Sequence, residues 1–433
     1  MKGRLSRLRE LGLLKASEMG MPGTEPDSRP DGRTGGRQGR KPAVPGREDF
    51  LPGWDRIAPH TYARTMETGL FLEGSGEDGF DSAHFANQRL RQRRGLDPEA
   101  PGSIPYNGLS FFDLETTGLS GGTGTIAFLA AVGYFEANRF FVTQVFIDDF
   151  PGEPAFLDFT INTLAERPRL VTYNGAAFDL PLLRTRCVMN SVPVPEFTHI
   201  DALHFSRRLW RRTLGSCSLQ ALEANVLGEA REEDVPGFLI PRLWLEYSGS
   251  TGNPGGESLA AMERVARHNA LDVRSLARLF LRIEGVMKEP VRRWADERVN
   301  SHNLAMELVA AGRREEGFAI LEEDGSGGNQ AALRQLARLY RRSGRMDDYE
   351  RVVGAMDFDS AEGCIEMAKF HEHVKRDAKT ALAFAERALL LSGSRGIAIG
   401  DEEALGKRLR RLRGKMERRE KPPGRAFKTP DSP

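Results

Sequence analysis

From Gly108 onward the apolar positions of the chain recur in two rhythms. GLSFFDLETTGL, TIAFLAAVGYF and RFFVTQVFIDDF are dense runs of aromatic and aliphatic residues joined by GLSGGTG and EAN, and they predict three sequential strands. PAFLDFTINTLAER then has helical spacing, RLVTYN reads as a short strand, FDLPLLRTRCVM as a helix, and THIDA as the end of another strand. LQALEANVLG and SLAAMERVARHNALDVRSLARLFLRIEGV are helical. Three strands in succession, then alternating helices and strands, predict an α/β domain over 108–288: a mixed sheet flanked by helices. A doubly wound dinucleotide fold would place a helix after the first strand, and none is predicted there.

Beyond about residue 290 the period-two signal stops. LAMELVAAGR (Leu304–Arg313) and LARLYRRSGR (Leu336–Arg345) superpose without gaps, matching Leu304 to Leu336, Leu308 to Tyr340 and Gly312 to Gly344. MAKFHEHVKRD with ALAFAERALLL is a looser third copy, with Ala368 in the register of Ala337. Helix pairs at a period of ~34 residues predict tetratricopeptide-like repeats over 289–400, which bury their apolar faces by stacking. Upstream, residues 1–20 place Leu5, Leu8, Leu11 and Leu14 at helical spacing in a short basic helix. Residues 21–50 are a Gly/Pro/Arg-rich stretch expected to be a disordered linker, because it lacks the apolar groups whose burial offsets ordering entropy. Residues 51–107 form a lead-in segment, and 401–433 a basic tail in which Lys407–Lys428 holds eleven Lys or Arg.

Composition narrows the function classes. Lys plus Arg is 62 and Asp plus Glu 61 in 433 residues, a net charge of +1, so any nucleic-acid-binding surface must be local. Cys187, Cys217 and Cys364 are scattered with no CxxC pair, which argues against a disulfide framework or cysteine zinc site and fits a cytoplasmic protein. No run approaches the ~18 apolar residues that span a bilayer, and the N-terminus lacks a signal-peptide pattern, so no membrane association is expected.

The candidate chemistry lies in three short stretches. In FFDLETTGL, Asp113 and Glu115 are two apart on a strand and share a face. Carboxylates among apolar neighbours need neutralisation, and a divalent cation supplies it. In RLVTYNGAAFDLPLL, Asn174 and Gly175 close a strand and Phe178-Asp179 open a helix; capping alone would explain an isolated Asp179. In VARHNALDVRSL, His268 and Asp272 are four apart on one helical face, an ordinary pairing when alone. Taken together, a D-x-E on a first strand, an N-x3-F-D at a strand–helix junction and an H-x3-D on a late helix bring four acids toward one point. Such a cluster makes physical sense as a cage for two Mg²⁺ or Mn²⁺ ions.

On these motifs the chain resembles the DEDD (DnaQ-like) 3′–5′ exonuclease superfamily of the ribonuclease-H-like fold. It is similar, more narrowly, to the YprB-type family of ribonuclease-H-like proteins over roughly Leu109 to Val286, through FFDLETTGLSGGTGTIAFL, HIDALHFSRRLWRRTLGSCSLQALEANVLG and EDVPGFLIPRLW. Helical repeats recur as a partner domain there. The resemblance implies that Asp113 bridges both metals, that Glu115 and Asp272 hold the metal bearing the nucleophilic water, and that Asp179 acts on the second. It makes His268 the candidate general base, Thr116 and Thr117 part of the substrate groove, and Asn174 and Phe178 further substrate-binding candidates. One feature departs from the pattern: histidine-type members place His and Asp five apart, whereas His268 stands at the four-residue spacing of the tyrosine type.

SRRLWRR adds Arg207, Arg208, Arg211 and Arg212 around Trp210; a basic face following a phosphate backbone and a solvated face with Trp210 packed inward are equally open, and Arg207 and Arg208 are the substrate-binding candidates. The glycine cluster at 118–124 lacks GK[ST] and precedes a strand, so it reads as a turn. Asp201, ending a strand near the candidate site, reads as a cap or as a group supporting that site, and His199, His204, His371 and His373 read as structural. The function expected is that of a metal-dependent nuclease, a 3′–5′ exonuclease acting on DNA or RNA by two-metal phosphodiester hydrolysis, with the repeats open to a protein partner. The alternatives are a nucleic-acid-binding scaffold without catalysis and a structure-selective endonuclease of the same fold.

Overall fold

The computed structural model describes residues 52–72, 79–81, 103–118, 124–249, 255–395 and 399–420. The expected helix over 1–20, the linker over 21–50, the turn residues 119–123 and the last residues of the basic tail lie outside the described residues. The chain divides into two compact units. The first takes residues up to Asp81, Ser103–His204 and Ser218–Phe280; the second takes Phe205–Cys217 and the chain from Leu281.

Among the described residues the first unit is built on a seven-stranded sheet. In chain order its strands are β1 (Asp55–Ala58), β2 (Thr61–Phe71), β5 (Leu109–Thr116), β6 (Ala127–Glu136), β7 (Arg139–Ile147), β8 (Arg169–Thr172) and β9 (Thr198–Asp201), while β3 (Gly79–Asp81) and β4 (Ser103–Pro105) pair separately. The sheet order is β1-β2-β7-β6-β5-β8-β9. The pairs from β1 to β5 are antiparallel, and β8 and β9 run parallel to β5. The three predicted strands are therefore β5, β6 and β7, with β5 lying between β6 and the parallel strand β8. Strands β1 and β2 lie in the stretch read only as a lead-in. β2 is amphipathic, with an outer half that alternates in exposure, and its mixture of Arg, Thr and Glu hides the strand period that a buried run would display.

Helix α1 (Glu153–Ala165) packs on β6 and β7 through Phe156, Leu157, Ile161 and Leu164, all buried. Helices α2 (Asp179–Met189), α3 (Ala202–Leu214), α4 (Ile240–Ser248) and α5 (Gly256–Lys288) follow. Trp244 of α4 stacks on Phe128 of β6 at 5.1 Å, and its indole N–H donates to the carbonyl of Ile147 at 2.9 Å, so the largest apolar side chain of that helix is buried without an orphaned donor. LQALEANVLG, predicted as one helix, is a turn of α-helix over Leu219–Leu222 that widens into a π-turn over Glu223–Leu227 and stops at Gly228, φ +68°.

From Ser301 onward the regular elements among the described residues are all helices: α6 (Ser301–Ala310), α7 (Arg314–Ser326), α8 (Gln330–Ser343), α9 (Met346–Gly354), α10 (Ala361–Phe370), α11 (Ala378–Arg395) and α12 (Ile399–Glu420). α6 packs on α7, α8 on α9 and α10 on α11. Asn300, Asn329 and Ser360 cap α6, α8 and α10 by accepting from backbone N–H groups of the first turn. Leu304, Leu308, Leu336, Tyr340, Ala337 and Ala368 are all buried. Gly312 and Gly344, aligned in sequence, both take positive φ (+86° and +77°) just past a helix end, where a side chain would be strained. The chain is thus a mixed α/β domain followed by an all-α region. Among the described residues no helix is long and apolar enough to cross a membrane.

Candidate active site

The pleat of β5 divides its residues between two environments. Phe112 and Leu114 enter the hydrophobic core, while Phe111, Asp113 and Glu115 share the face on which α5 lies. Phe111 anchors that face, meeting Phe135, Phe140 and Phe280 edge-on. Gly133 pairs with Phe111, and a Cβ there would come within 2.4 Å of both the Phe140 ring and Val273 of α5. The missing side chain is what allows the helix to sit against β6.

One pairing row further along, Asp113, Ala131, Gln144 and Arg64 lie side by side across β5, β6, β7 and β2. Above the small Ala131 a polar chain crosses the sheet. Arg64 Nε donates to Gln144 Oε1 (2.9 Å), Gln144 Nε2 to Asn269 Oδ1 (3.0 Å), and Asn269 Nδ2 to Asp113 Oδ2 (2.7 Å). Gln144 and Asn269 are fully buried, so their amide orientations are set by this relay and it aims Asp113. Neither amide was a sequence candidate. The available signals were a glutamine in the otherwise apolar RFFVTQVFI and the asparagine beside His268.

Asp179 opens α2 after a loop tied down by Asp201, whose carboxylate accepts from the N–H groups of Asn174 (2.8 Å), Leu203 (3.1 Å) and Ala176 (3.2 Å). Asn174 takes φ +66°, which asparagine tolerates better than most residues, and Gly175 follows with a would-be Cβ 2.4 Å from Thr172 Oγ1. Asp201 is thus the cap its position predicted. His199 is also engaged in the fold, its Nε2 lying 2.8 Å from Thr172 Oγ1.

The four acids are electrostatic neighbours. Burial, then the charges of Asp272, Glu115 and Asp179, hold the Asp113 carboxyl well above its usual range, against the pull of the Asn269 hydrogen bond. Glu115 is raised by burial and then by Asp272, Asp179 and Asp234. Asp179 is pushed up to about 7, chiefly by burial; backbone hydrogen bonds, one of them at Leu114 on β5, oppose this, and Asp201 and Asp272 add to it. Asp272 is raised by burial although His268 and Arg231 pull it down. Glu115 and Asp272 keep 13% and 21% of their side-chain surface exposed, so the rim of the cluster is open to solvent.

A second tier comes from the segment after the π-turn. The Arg231 guanidinium contacts Glu223, Asp272 and Asp234, the last at 3.0 Å. Asp234 straddles the ring of His268, its oxygens 2.8 and 2.9 Å from Nδ1. The opposite nitrogen, Nε2, lies 3.6 Å from Asp272 and 3.8 Å from Glu115. Neither Arg231 nor Asp234 was a site candidate: Asp234 stands in EDVPGFLIPRLW, which carries the resemblance, but both sit among Glu229, Glu232 and Glu233 in a loop with no periodicity.

Among the described residues, no group of three or more His, Cys, Asp or Glu side chains is gathered tightly enough, as it stands, to hold a metal ion. Arg231 engages one oxygen of Asp272 and Asn269 one of Asp113. The donor set nonetheless suits a hard divalent cation. Neighbouring carboxylates of the cluster help to raise Asp113, Glu115 and Asp179, and oxygen ligands of this kind are those Mg²⁺ and Mn²⁺ prefer.

The RNase_H_2 family of the RNase_H superfamily matches residues 110–283, a span that contains all four acids, His268, Asp234 and Arg231. YprB of Bacillus subtilis (strain 168) is 30% identical over 321 residues, covering 71% of this chain and 75% of its own length. The chain belongs to the YprB family. A solved structure, the family B DNA polymerase of the hyperthermophilic archaeon Pyrobaculum calidifontis, is 18% identical with a TM-score of 0.30, over 50% of this chain and 29% of the polymerase.

In this YprB family member the other sequence candidates fall as follows. The Thr116 hydroxyl donates to the carbonyl of Gly118 (2.9 Å) and that of Thr117 is bonded to the backbone of Ile126, so both are engaged by backbone groups at the end of β5. Phe178 is exposed, next to Asp179. Arg207 and Arg208 belong to the second unit, where Arg208 pairs with Glu307 at 2.8 Å. Trp210, in the same unit, is fully buried with its indole N–H donating to the carbonyl of Glu297 (2.9 Å), which is the inward-packed alternative.

Proposed function

We propose that this YprB family member is a metal-dependent nuclease of the DEDD type, a 3′–5′ exonuclease acting on DNA or RNA. The observation that carries this reading is the meeting of Asp113, Glu115, Asp179 and Asp272, from β5, α2 and α5, in one electrostatically coupled cluster open to solvent. These four residues would hold two Mg²⁺ or Mn²⁺ ions, which when bound supply the positive charge that stabilises the attacking and leaving oxygens. Asn269 keeps Asp113 aimed at the cluster. Phe178 offers an exposed ring beside Asp179 on which a terminal base can stack. His268 Nε2, directed at Asp272 and Glu115, takes the proton of the attacking water. The water oxygen bonds to phosphorus, the bond from phosphorus to the 3′-oxygen breaks, that oxygen takes up a proton from solvent to become the new 3′-hydroxyl, and a nucleoside 5′-monophosphate leaves.

The helical region would serve as tetratricopeptide-like repeats for a protein partner, a role supported by Leu389 and Leu390, exposed on α11. A cytoplasmic location fits three buried cysteines that are all free thiols.

The test is product analysis on 5′-labelled single-stranded DNA and RNA with Mn²⁺ or Mg²⁺. A ladder shortening from the 3′ end is expected for wild type, with a loss of at least ~10³-fold in Asp113→Asn and Asp272→Ala. Intact DNA and RNA with the wild-type chain would overturn the nuclease reading, and cleavage of a circular substrate would replace it with the endonuclease alternative.

A further inference from the structure

His268 stands one turn before Asp272, a spacing that by itself leaves the direction of its ring undetermined. In the structure the ring is gripped from outside its own helix. Both oxygens of Asp234 lie within hydrogen-bond distance of Nδ1, at 2.8 and 2.9 Å. Asp234 is itself held at two points: Val235 N–H donates to Oδ1 (2.9 Å) and Arg231 Nη1 to Oδ2 (3.0 Å). Arg231 is anchored in turn by the buried Glu223 of the π-turn.

Arg231 Nη1 also lies 3.4 Å from Nδ1, so two arrangements compete there. Either Nδ1 carries a proton and donates to Asp234, or it is bare and accepts from Arg231. The carboxylate contacts are shorter by about half an ångström, and a bare nitrogen facing two carboxylate oxygens would be repelled. The proton therefore sits on Nδ1. In the neutral ring the lone pair is then on Nε2, the nitrogen that faces Glu115 and Asp272 at 3.8 and 3.6 Å, distances that leave room for an intervening water.

We propose that Asp234 is a positioning residue: by accepting from Nδ1 it fixes the tautomer and aim of His268, so that a histidine at four-residue spacing presents Nε2 to the acids. This rests on the nuclease reading for its purpose but not for its geometry. Arg231 completes the device by keeping Asp234 as a charged acceptor and by fixing which way its oxygens point.

The test uses the full-length chain labelled with ¹⁵N in its imidazoles at mildly alkaline pH, with the His268 signals identified by their loss in His268→Gln. Wild type should carry its proton on Nδ1. In Asp234→Asn, Arg231 donates to the amide oxygen and the amide NH₂ is left facing the ring, so the proton should move to Nε2, the wrong tautomer for a base. Asp234→Glu should retain the proton on Nδ1. In cleavage assays Asp234→Asn should lower kcat by about 10–100-fold with KM little changed. A wild-type ring protonated on Nε2 overturns the proposal whether or not any variant folds, and so does an Asp234→Asn ring that keeps its proton on Nδ1. If the spectra behave as expected while no protein cleaves, the nuclease reading fails and the positioning role of Asp234 stands.

Discussion

Asp179 shows at the scale of one residue what the cluster imposes on the fold. Its folded pKa of about 7 lies above the ordinary 3.8, so between roughly pH 4 and pH 7 the folded chain keeps a proton that the unfolded chain has released. Stability contributed by this group is therefore present below that window, falls as pH rises through it, and is flat above. Asp179→Asn removes the dependence. Thermal melts without added metal should show wild type losing more stability than the variant between about pH 5 and pH 8, with the variant at least as stable at the upper end. A variant clearly less stable there would mean that Asp179 is held by favourable contacts and not crowded by its neighbours. The same scale shows what the sequence could reveal. Asp113 and Glu115 stand out because two acids interrupt a run of phenylalanine and leucine on one face of a strand. Asp179 and Asp272 gain meaning from their order behind that pair. Asp234 lies in EDVPGFLIPRLW, yet only the fold, by bringing it to His268 and Arg231, separates it from the glutamates beside it.

Among the elements, α5 and β6 decide whether the residues can act together. Gly133 permits their approach, and an alanine there meets the Phe140 ring and Val273 at 2.4 Å. Such overpacking costs about 1–3 kcal/mol. Because α5 carries Asn269, His268 and Asp272 together, Gly133→Ala should lower the denaturation midpoint and also depress cleavage, although it touches none of the acids; unchanged values for both would show that the helix does not depend on this approach. In the helical unit the corresponding joint is Glu372, in the π-turn His371–Lys375, which accepts from Arg408, Arg411 and Lys415 of α12. Against the cost of its burial, these partners hold the carboxyl down to about 2 from an ordinary 4.5. Its stabilisation is thus full above about pH 4.5 and lost as pH falls toward 2. Glu372→Gln should be less stable at neutral pH and show a shallower acid decline, measurable by circular dichroism. Helical and strand periods exposed most of these elements, but not β1 and β2, whose polar edge positions dilute the pattern, nor the π-turns, which keep helical spacing while changing the width of the turn.

For the molecule as a whole, the proposed chemistry is confined to the first unit, an RNase_H superfamily domain in a YprB family chain that continues into an all-α region. It depends on four carboxylates, carried by three elements far apart in sequence, acting as one receptor for divalent cations. The most direct measurement is a titration of the full-length chain with Mn²⁺, counting bound ions by electron paramagnetic resonance or calorimetry in wild type and Asp113→Asn. Saturable uptake of two ions per chain is expected in wild type, lost or sharply weakened in the variant. No specific uptake by wild type, or the same uptake once Asp113 has lost its charge, would contradict it.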